Sequence, residues 1–407
     1  MSHDCFDFAR LIHPITPEEF FQEYWEQKPL LVSRQEPTYY HALFRMDDVD
    51  AVLHYCQPKP PDILVVQNQD RMVADTYLTD QGTVNLPQLY KAYDEGYTII
   101  INALERFWPP LARCCHGLKA ALNHHAVANM YLAPRQAVSL KPHYDTHDVF
   151  ALQVDGSKHW YVYDSPCLLP FMGSFRPIFA EHALPRLLHE VHLEAGDLLY
   201  LPRGFVHRAA TTETCSLHVT IGLHTFQWHD LLSQALTAVS LKDARFRQAL
   251  PVGFMDRPDL LPALQEQLRT LAACFAEYAR AEEGVAMLTE RFVAEMGAVP
   301  DGHFRQVEDR AAIAADTWLA KRPGMKCRVL GQGLRVSIQF PGNTISGPRH
   351  ILPTLHFIAA TDTAFTTDDL PGDYGQEGKV TLVRRLVRGG LLRVVQEKGE
   401  TGSTETV

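Results

Sequence analysis

The sequence predicts a mainly β domain, an antiparallel barrel or sandwich, followed by a helical region and a smaller region of mixed character. Between residues 63 and 223, short strand-like runs are separated by Pro and Gly turns, which is typical of such all-β folds. After Trp228 the apolar residues instead recur at helical spacing, and a polar stretch from about residue 300 precedes the last region. These changes place the domains at residues 1–227, 228–298 and 299–395, with a disordered tail expected over 396–407.

Composition excludes several classes of protein. The 407 residues are 46% apolar, which is too apolar for disorder, and they contain no run of 18 apolar residues that would predict a membrane span. Acidic residues near the N-terminus do not fit a signal peptide, so we expect a cytoplasmic protein. A formal charge of −10 argues against binding nucleic acid through bulk charge and suits a basic peptide partner. The eight cysteines form no Cys-x-x-Cys pair, which argues against a zinc ribbon.

The N-terminal half starts with a helix and continues with strands. Thr16, Pro17 and Glu19 form a capping-box pattern, so a helix is expected to begin at Pro17. The dipeptide Asp155-Gly156 is a two-residue hairpin signal and predicts a chain reversal between two strands. The run HEVH at 189–192 lacks the spacing of a zinc-protease helix and is expected to be a strand leading to Gly196. The other predicted strands cover residues 63–66, 98–101, 127–133, 149–154, 197–202 and 216–223.

The region 228–298 is predicted to be helical and to form a homodimer interface. One helix is indicated by apolar residues at spacings of four, three, four and three: Leu264, Leu268, Leu271, Phe275 and Tyr278. The whole region has more apolar surface than one exposed layer should carry, and a second copy of the chain would cover it.

The third region, 299–395, has the pattern of a small winged-helix module. The run FTTDDLP at 365–371 is expected to start a helix. The run KVTLVRRLVRGG at 379–390 predicts a helix ended by glycines, and LLRVVQ at 391–396 predicts a strand.

Two histidines and an aspartate are the candidate metal ligands. His143 and Asp145 are one residue apart, so on a strand their side chains would share a face. His207 follows a predicted tight turn that would return it to the same barrel mouth. Two imidazoles and one carboxylate form the facial triad that binds ferrous iron and leaves coordination positions open, whereas zinc is more often held tetrahedrally. A His-x-Asp pair alone also arises by chance, but the spacing of four later residues reproduces the second cupin-barrel motif: Gly196, Pro202, Gly204 and His207.

At this point the sequence resembles the JmjC-type ribosomal oxygenases, which are Fe(II)- and 2-oxoglutarate-dependent protein hydroxylases with a cupin barrel (a double-stranded β-helix). The resemblance is dense from 127 to 222 and looser elsewhere. It rests on these motifs: Tyr24-Trp25 with Lys28-Pro29-Leu30-Leu31, Asn129-x-Tyr131 with Pro134, Pro142-His143-Tyr144-Asp145, the run 149–160, and Gly196-Asp197-x-x-Tyr200-x-Pro202-x-Gly204. It extends to the layout, because that family follows its barrel with a helical dimerisation domain and a winged-helix domain.

The resemblance implies that His143, Asp145 and His207 bind catalytic iron, with 2-oxoglutarate as cosubstrate and O2 as oxidant. Lys158 matches the basic residue that binds the distal carboxylate of 2-oxoglutarate. Lys158 alternates in phase with Trp160 and Val162, so if that face points inward, the buried ammonium would need a carboxylate partner. The remaining expected cosubstrate contacts are Asn129, Tyr131, Ser216 and His218.

The resemblance also implies that the substrate is a side chain of a ribosomal protein or of another peptide. Bacterial members that hydroxylate arginine often carry arginine where this chain has Lys158, and eukaryotic histidine hydroxylases carry lysine, so the target residue stays open. The alternatives are a peptide-tailoring hydroxylase, a cupin isomerase or dioxygenase without 2-oxoglutarate, and a metal-dependent regulator. The regulator would bind DNA through Arg384, Arg385 and Arg388, although a helix with three arginines is more often a solvated face.

Overall fold

The computed structural model describes residues 6–138, 140–174, 177–298 and 300–396. The predicted tail therefore lies outside the described residues, apart from Gln396. One compact unit takes in the chain up to Thr225, and a second begins at Phe226. Within the described ranges, no helix is long and apolar enough to cross a membrane.

The helices of the first unit support one face of a large sheet. The second helix begins as predicted, with Pro17 in its first turn and the Thr16 hydroxyl accepting a hydrogen bond from the Glu19 amide at 3.2 Å. Its buried Phe20 packs against two strand residues, with ring centroids 5.6 Å from Phe150 and 4.8 Å from Tyr200. The helices are α1 (Phe8–Ile12), α2 (Pro17–Glu23), α3 (Met46–Ala51), α4 (Leu86–Asp94) and α5 (Pro109–Leu122).

The strands of this unit are antiparallel. They are β1 (Leu30–Val32), β2 (Ile63–Gln67), β3 (Asp70–Arg71), β4 (Thr98–Ile101), β5 (His125–Ala133), β6 (Asp148–Tyr163), β7 (Leu187–Glu194), β8 (Leu198–Leu201), β9 (His207–Ala210) and β10 (Ser216–His224). Their main order is β1-β8-β6-β10-β5-β4-β2-β3, and β7 and β9 pair with β6 outside that path. This arrangement confirms the predicted mainly β fold with flanking helices, and HEVH lies on β7 as expected.

Strand β6 connects the two groups of strands. Its first half pairs with β8 and β10, and its second half pairs with β7 and β9. The hairpin predicted at Asp155-Gly156 is therefore wrong, because the strand continues through this dipeptide. A two-residue hairpin of this kind needs positive φ at both positions, and only Gly156 has it, at φ +63°. The backbone of Cys215 passes so close to Gly156 that a Cβ there would lie 1.9 Å from its carbonyl oxygen.

The second unit contains the predicted helical region and the mixed region. Its helices are α6 (Trp228–Lys242), α7 (Leu261–Tyr278), α8 (Ala281–Glu295), α9 (His303–Asp309), α10 (Leu352–Ala360) and α11 (Gln376–Gly389). Its strands are β11 (Leu319–Lys321), β12 (Arg328–Gln332), β13 (Arg335–Phe340), β14 (Asn343–Pro348) and β15 (Leu392–Val394). Sequence reasoning missed the antiparallel meander β12-β13-β14.

The mixed region follows its predicted pattern in part. Helix α11 ends at a left-handed Gly390 and leads into β15, as expected. The run FTTDDLP does not start a helix, because Asp369 accepts hydrogen bonds from the amide and hydroxyl of Thr366 in a local turn. Pro371 and Gly372 follow, and the helix begins only at Gln376.

The helical region exposes many of its large apolar side chains. On α6, Trp228, Leu232 and Leu236 are four residues apart and are 78%, 54% and 43% exposed. On α7, Leu268 and Tyr278 of the predicted apolar face are 61% and 53% exposed. The adjacent side of α6, which carries Leu231 and Ala235, packs on α8, where Gly284 allows close approach. The exposed face of α6 therefore has no cover within the described chain.

Candidate metal centre

Main-chain pairing places two of the three candidate ligands side by side. His143 and His207 form an isolated antiparallel bridge, with N–H···O distances of 3.1 Å from His143 to His207 and 2.8 Å in return. Their imidazole centroids are 4.6 Å apart. The turn before His207 contains Gly204, whose φ is +92° and whose amide donates to the carbonyl oxygen of Asp145 at 3.0 Å. The same turn carries the chain from β8 to β9.

The carboxylate of Asp145 lies between these imidazoles. Asp145 Oδ2 is 3.5 Å from His207 Nε2, and Oδ1 is 4.0 Å from His143 Nε2. One ligand atom from each residue can be chosen so that all lie within 4.8 Å of one another. The strand predicted through His143 and Asp145 is wrong, because His143 forms only isolated bridges and Asp145 lies in the loop before β6. The side chains converge because the loop and the turn are tied together.

Backbone carbonyls orient both imidazole rings. His143 Nδ1 is 2.8 Å from the carbonyl oxygen of Lys141, and His207 Nδ1 is 3.1 Å from that of Phe205. A carbonyl accepts only, so each Nδ1 carries the proton and each Nε2 keeps its lone pair. The two lone pairs are on the nitrogens nearest Asp145. This is the usual orientation of metal-binding histidines, whose other nitrogen donates to a neighbouring acceptor.

The triad lines a cavity of about 500 Å³ that also contains Lys158. Lys158 is 3% exposed, and its burial lowers the pKa of the ammonium to about 8. It alternates along β6 with buried Trp160 and Val162, so the predicted inward phase is correct. No described residue forms an ion pair with this buried ammonium, which makes it a strong site for a carboxylate.

A stack of rings forms one wall of the cavity. Tyr131 on β5 and His218 on β10 are paired in register and stacked, with centroids 4.8 Å apart, and Trp160 meets His218 edge-on at 5.6 Å. Burial and, secondarily, the charge of Lys158 hold the pKa of His218 well below its usual value, so this ring is neutral. Nδ1 of His218 and Nε1 of Trp160 are buried with no hydrogen-bond partner among the described residues.

The other expected cosubstrate residues have mixed positions. Asn129 lines the cavity, and its Oδ1 accepts a hydrogen bond from the Ala103 amide at 3.0 Å. Ser216 is buried outside the cavity lining, and its hydroxyl accepts from Gln153 Nε2 at 2.9 Å. Its place on the same face of β10 as His218 does not bring it to the cavity.

Several lining residues escaped the sequence analysis. Thr220 continues the face of β10 beyond His218, so its period-two spacing was a usable signal. His147 did not escape: its even spacing from Asp145 predicted a place beside the ligands, and it lines the cavity with its ring stacked on His224. His189 and His192, set aside as ligands, are exposed on β7. Arg208 follows the ligand His207 directly, whereas three lining residues come from distant segments and carried no local signal: Gln69, Arg71 and Asn102.

Comparisons with known proteins agree with this fold. Residues 105–231 match the family model described as JmjC domain. Ribosomal oxygenase 2 of Bos taurus is 35% identical over 256 residues, which cover 60% of this chain and 54% of that protein. Ribosomal oxygenase 1 of Danio rerio is 32% identical over 257 residues, covering 61% and 47%. The bifunctional lysine-specific demethylase and histidyl-hydroxylase NO66 of Aedes aegypti is 35% identical over 230 residues, covering 55% and 36%.

Solved structures extend the likeness in fold. The X-ray structure of Escherichia coli YcfD aligns with a TM-score of 0.55 at 16% identity, covering 94% of this chain and 98% of YcfD. A second crystal structure, of the ribosomal oxygenase YcfD from the same organism, aligns with a TM-score of 0.50 at 17% identity. Such low identity shows a shared fold alone.

Fold, triad and family match together define a JmjC-domain protein with a cupin-type β domain. The chain spans about half the length of the curated relatives it matches. Residues 105–231 match the JmjC domain, and the chain is similar to ribosomal oxygenases 1 and 2 over about 60% of its length.

Proposed function

We propose that this protein is an Fe(II)- and 2-oxoglutarate-dependent oxygenase that hydroxylates a side chain of a ribosomal protein. The observation that carries the proposal is the presence of the His143, Asp145 and His207 ligand set and the buried Lys158 ammonium in one cavity. Two imidazoles and one carboxylate suit ferrous iron and leave positions for a chelating cosubstrate. When bound, the iron and 2-oxoglutarate supply oxidative hydroxylation, in which one oxygen atom of O2 enters succinate and the other enters the product.

The protein's own residues have distinct tasks in this reaction. His143 and His207 would hold the metal through Nε2 because their Nδ1 protons are committed to backbone carbonyls. Lys158 would pair with the distal carboxylate of 2-oxoglutarate, and this ion pair would offset the cost of burying the ammonium. Tyr131 lies on the same wall, where a phenol can donate to a carboxylate. Trp160 and the stacked His218 keep bulk water from this end of the cavity.

The charges of the cavity favour an uncharged target side chain. Among the described residues that line it, Arg71, Lys158 and Arg208 are cationic, and Asp145 is the sole carboxylate. Asp145 would be neutralised by the metal, so an arginine or lysine target would find no counter-ion in the cavity, at a high desolvation cost. A neutral imidazole avoids that cost. The name of one relative, a histidyl-hydroxylase, agrees with histidine as the target.

Mass spectrometry tests the function and names the target. Ribosomal proteins from a deletion strain would be incubated with the purified protein, Fe(II), 2-oxoglutarate and O2. We expect one tryptic peptide to gain the mass of a single oxygen atom on histidine, and no gain with Asp145→Ala. Modification of a small non-ribosomal peptide instead would favour the peptide-tailoring alternative. Absence of 2-oxoglutarate turnover with any peptide would refute the oxygenase.

We propose further that a second copy of the chain covers the exposed face of α6 and α7. Trp228, Leu232 and Leu236 form an exposed stripe along α6, next to the side that packs on α8. With Leu268 on α7, this is more exposed apolar surface than monomeric proteins usually keep. A two-fold dimer buries the same patch on both copies.

We also propose a cytoplasmic location for the protein.

The third region is proposed as a winged-helix-like module that does not bind DNA. Two of the three arginines that suggested a DNA-reading helix are engaged within the module. Arg384 donates to the carbonyl oxygens of Ala311 and Ile313, both at 2.7 Å, and Arg385 donates to that of Ser346 at 3.2 Å. These contacts, together with the acidic composition, support an enzyme over a nucleic-acid-binding regulator.

A further inference from the structure

The geometry of the candidate metal centre depends on two segments that are not regular secondary structure. Asp145 lies in the loop that precedes β6, and His207 follows the turn that leaves β8. The main-chain hydrogen bond from Gly204 to Asp145 joins them near the ligands. A second and stronger tie lies a few residues further from the cavity.

This tie is a buried ion pair between Asp148 and Arg203. Asp148 is the first residue of β6, three residues after Asp145, and Arg203 lies in the turn four residues before His207. The Asp148 carboxylate accepts two hydrogen bonds from this one residue, from the main-chain amide at 3.1 Å and from Nη1 at 3.0 Å. The turn is therefore held by its backbone as well as by its side chain. Asp148 is 0% exposed and Arg203 is 5% exposed.

The N-terminal segment completes the pair. Glu26, which follows α2, places Oε1 2.5 Å from Arg203 Nη2. The Tyr200 hydroxyl donates to Asp148 at 3.3 Å and accepts from the Glu26 amide at 3.1 Å. Glu26 has φ +57°, a left-handed conformation that is unfavourable for a residue with a side chain. Trp25 stacks on Tyr200 beside it, at an interplanar angle of 11°.

A contribution to the stability of the fold does not explain why this network is present. Burial raises the pKa of Asp148 to about 6 in spite of the adjacent Arg203, so the desolvation of the carboxylate exceeds what the guanidinium returns. Buried ion pairs can often be replaced by apolar side chains with little loss of stability, and some serve to select one arrangement of the chain. This pair joins the two segments that carry metal ligands, so the arrangement it selects is that of the ligands.

We infer that Arg203 and Asp148 are positioning residues for the metal triad and that Glu26 and Tyr200 complete them, so the N-terminal segment acts on the metal centre without touching it. This inference rests on the proposed function, because it requires the triad to bind a divalent metal. It assigns a role to the first segment of the chain, for which the sequence alone indicated none. Loss of the network should loosen the triad more than it loosens the fold.

Cobalt(II) is a suitable probe because it binds without oxidising and its visible spectrum reports coordination. Arg203→Met and Glu26→Gln would be titrated with cobalt in the full-length protein, beside Arg106→Met, which removes an exposed ion pair with Asp62. We expect Arg203→Met to weaken cobalt binding by about 10- to 100-fold and to alter its spectrum, as outer-shell changes typically do. Glu26→Gln should fall between Arg203→Met and wild type, and Arg106→Met should match wild type.

Thermal melting of the metal-free variants separates positioning from stability. If both network variants bind cobalt with wild-type affinity and spectrum, the inference is wrong, whatever their melting temperatures are. The proposed function would stand in that case. Failure of the wild-type protein to bind cobalt would refute the metal site and the inference with it. Glu26 has a side chain that is one-third exposed, so Glu26→Gln gives a reading even if Arg203→Met does not fold.

Discussion

Replacing Lys158 by methionine removes a buried charge and keeps the length of the side chain. Burial lowers the pKa of this ammonium from 10.5 to about 8, which at about 1.4 kcal/mol per pKa unit corresponds to about 3 kcal/mol lost from the free energy of unfolding near neutral pH. The side chain is 3% exposed, so solvent screens this penalty little. Lys158→Met should therefore make the protein without its cosubstrate more stable, by up to about 3 kcal/mol at pH 7.

The pH dependence has a definite sign. The folded pKa lies below the unfolded one, so between pH 8 and 10.5 the unfolded state binds more protons and wild-type stability rises with pH. Below pH 8 the lysine is protonated in both the folded and the unfolded protein, so the free energy of unfolding that its burial costs does not change with pH. The gain in free energy of unfolding from Lys158→Met should be complete at pH 7 and should decrease steadily from pH 8 towards 10.5. Urea unfolding at several pH values measures it.

The same substitution should weaken cosubstrate binding. Removing one partner of a buried charge pair costs about 2–5 kcal/mol, which is roughly 30-fold to several-thousand-fold in affinity. Anaerobic titration of the iron-loaded protein with 2-oxoglutarate, followed by its visible charge-transfer band, gives the affinity. Lys91→Met, which removes the exposed pair with Glu95, is the matched control. Unchanged 2-oxoglutarate affinity, or a less stable variant at pH 7, would refute the role given to Lys158.

Other substitutions test the site, the fold and the assembly. Asp145→Ala should abolish cobalt binding while the melting temperature of the metal-free protein stays within a few degrees, and retained binding in calorimetry would contradict the triad. Gly156→Ala should be clearly more destabilising than Gly82→Ala in urea unfolding. Both glycines have positive φ, which costs alanine about 1 kcal/mol, but only at Gly156 does the new Cβ meet backbone, the Cys215 oxygen. Equal losses would show that the chain relaxes there. Leu268→Glu should shift the protein from dimer to monomer in sedimentation at micromolar concentration, and a wild-type monomer would refute the dimer.

Local patterns in the sequence determined most of the elements. Short apolar runs bounded by turn residues predicted β2, β4, β5, β8 and β10, because a buried strand needs only a few consecutive apolar residues between chain reversals. The cap at Thr16 and the glycine after α11 located helix ends, since both satisfy main-chain groups within a few residues. The residue types at His143, Asp145 and His207, with the cupin-like motif around Gly204, indicated a metal centre, and the structure groups the three side chains although Asp145 is not on a strand.

The tertiary structure decided what depends on distant neighbours. Asp155-Gly156 has the local chemistry of a hairpin, yet the strand continues because β10 pairs alongside it. The convergence of Asp145 on the histidines comes from the tie between its loop and the Gly204 turn, not from a strand. Arg71 reaches the cavity from a segment more than seventy residues before the ligands. A dipeptide or a single residue carries no record of the surfaces that pack on it, so burial and charge environment emerge only when the chain is folded.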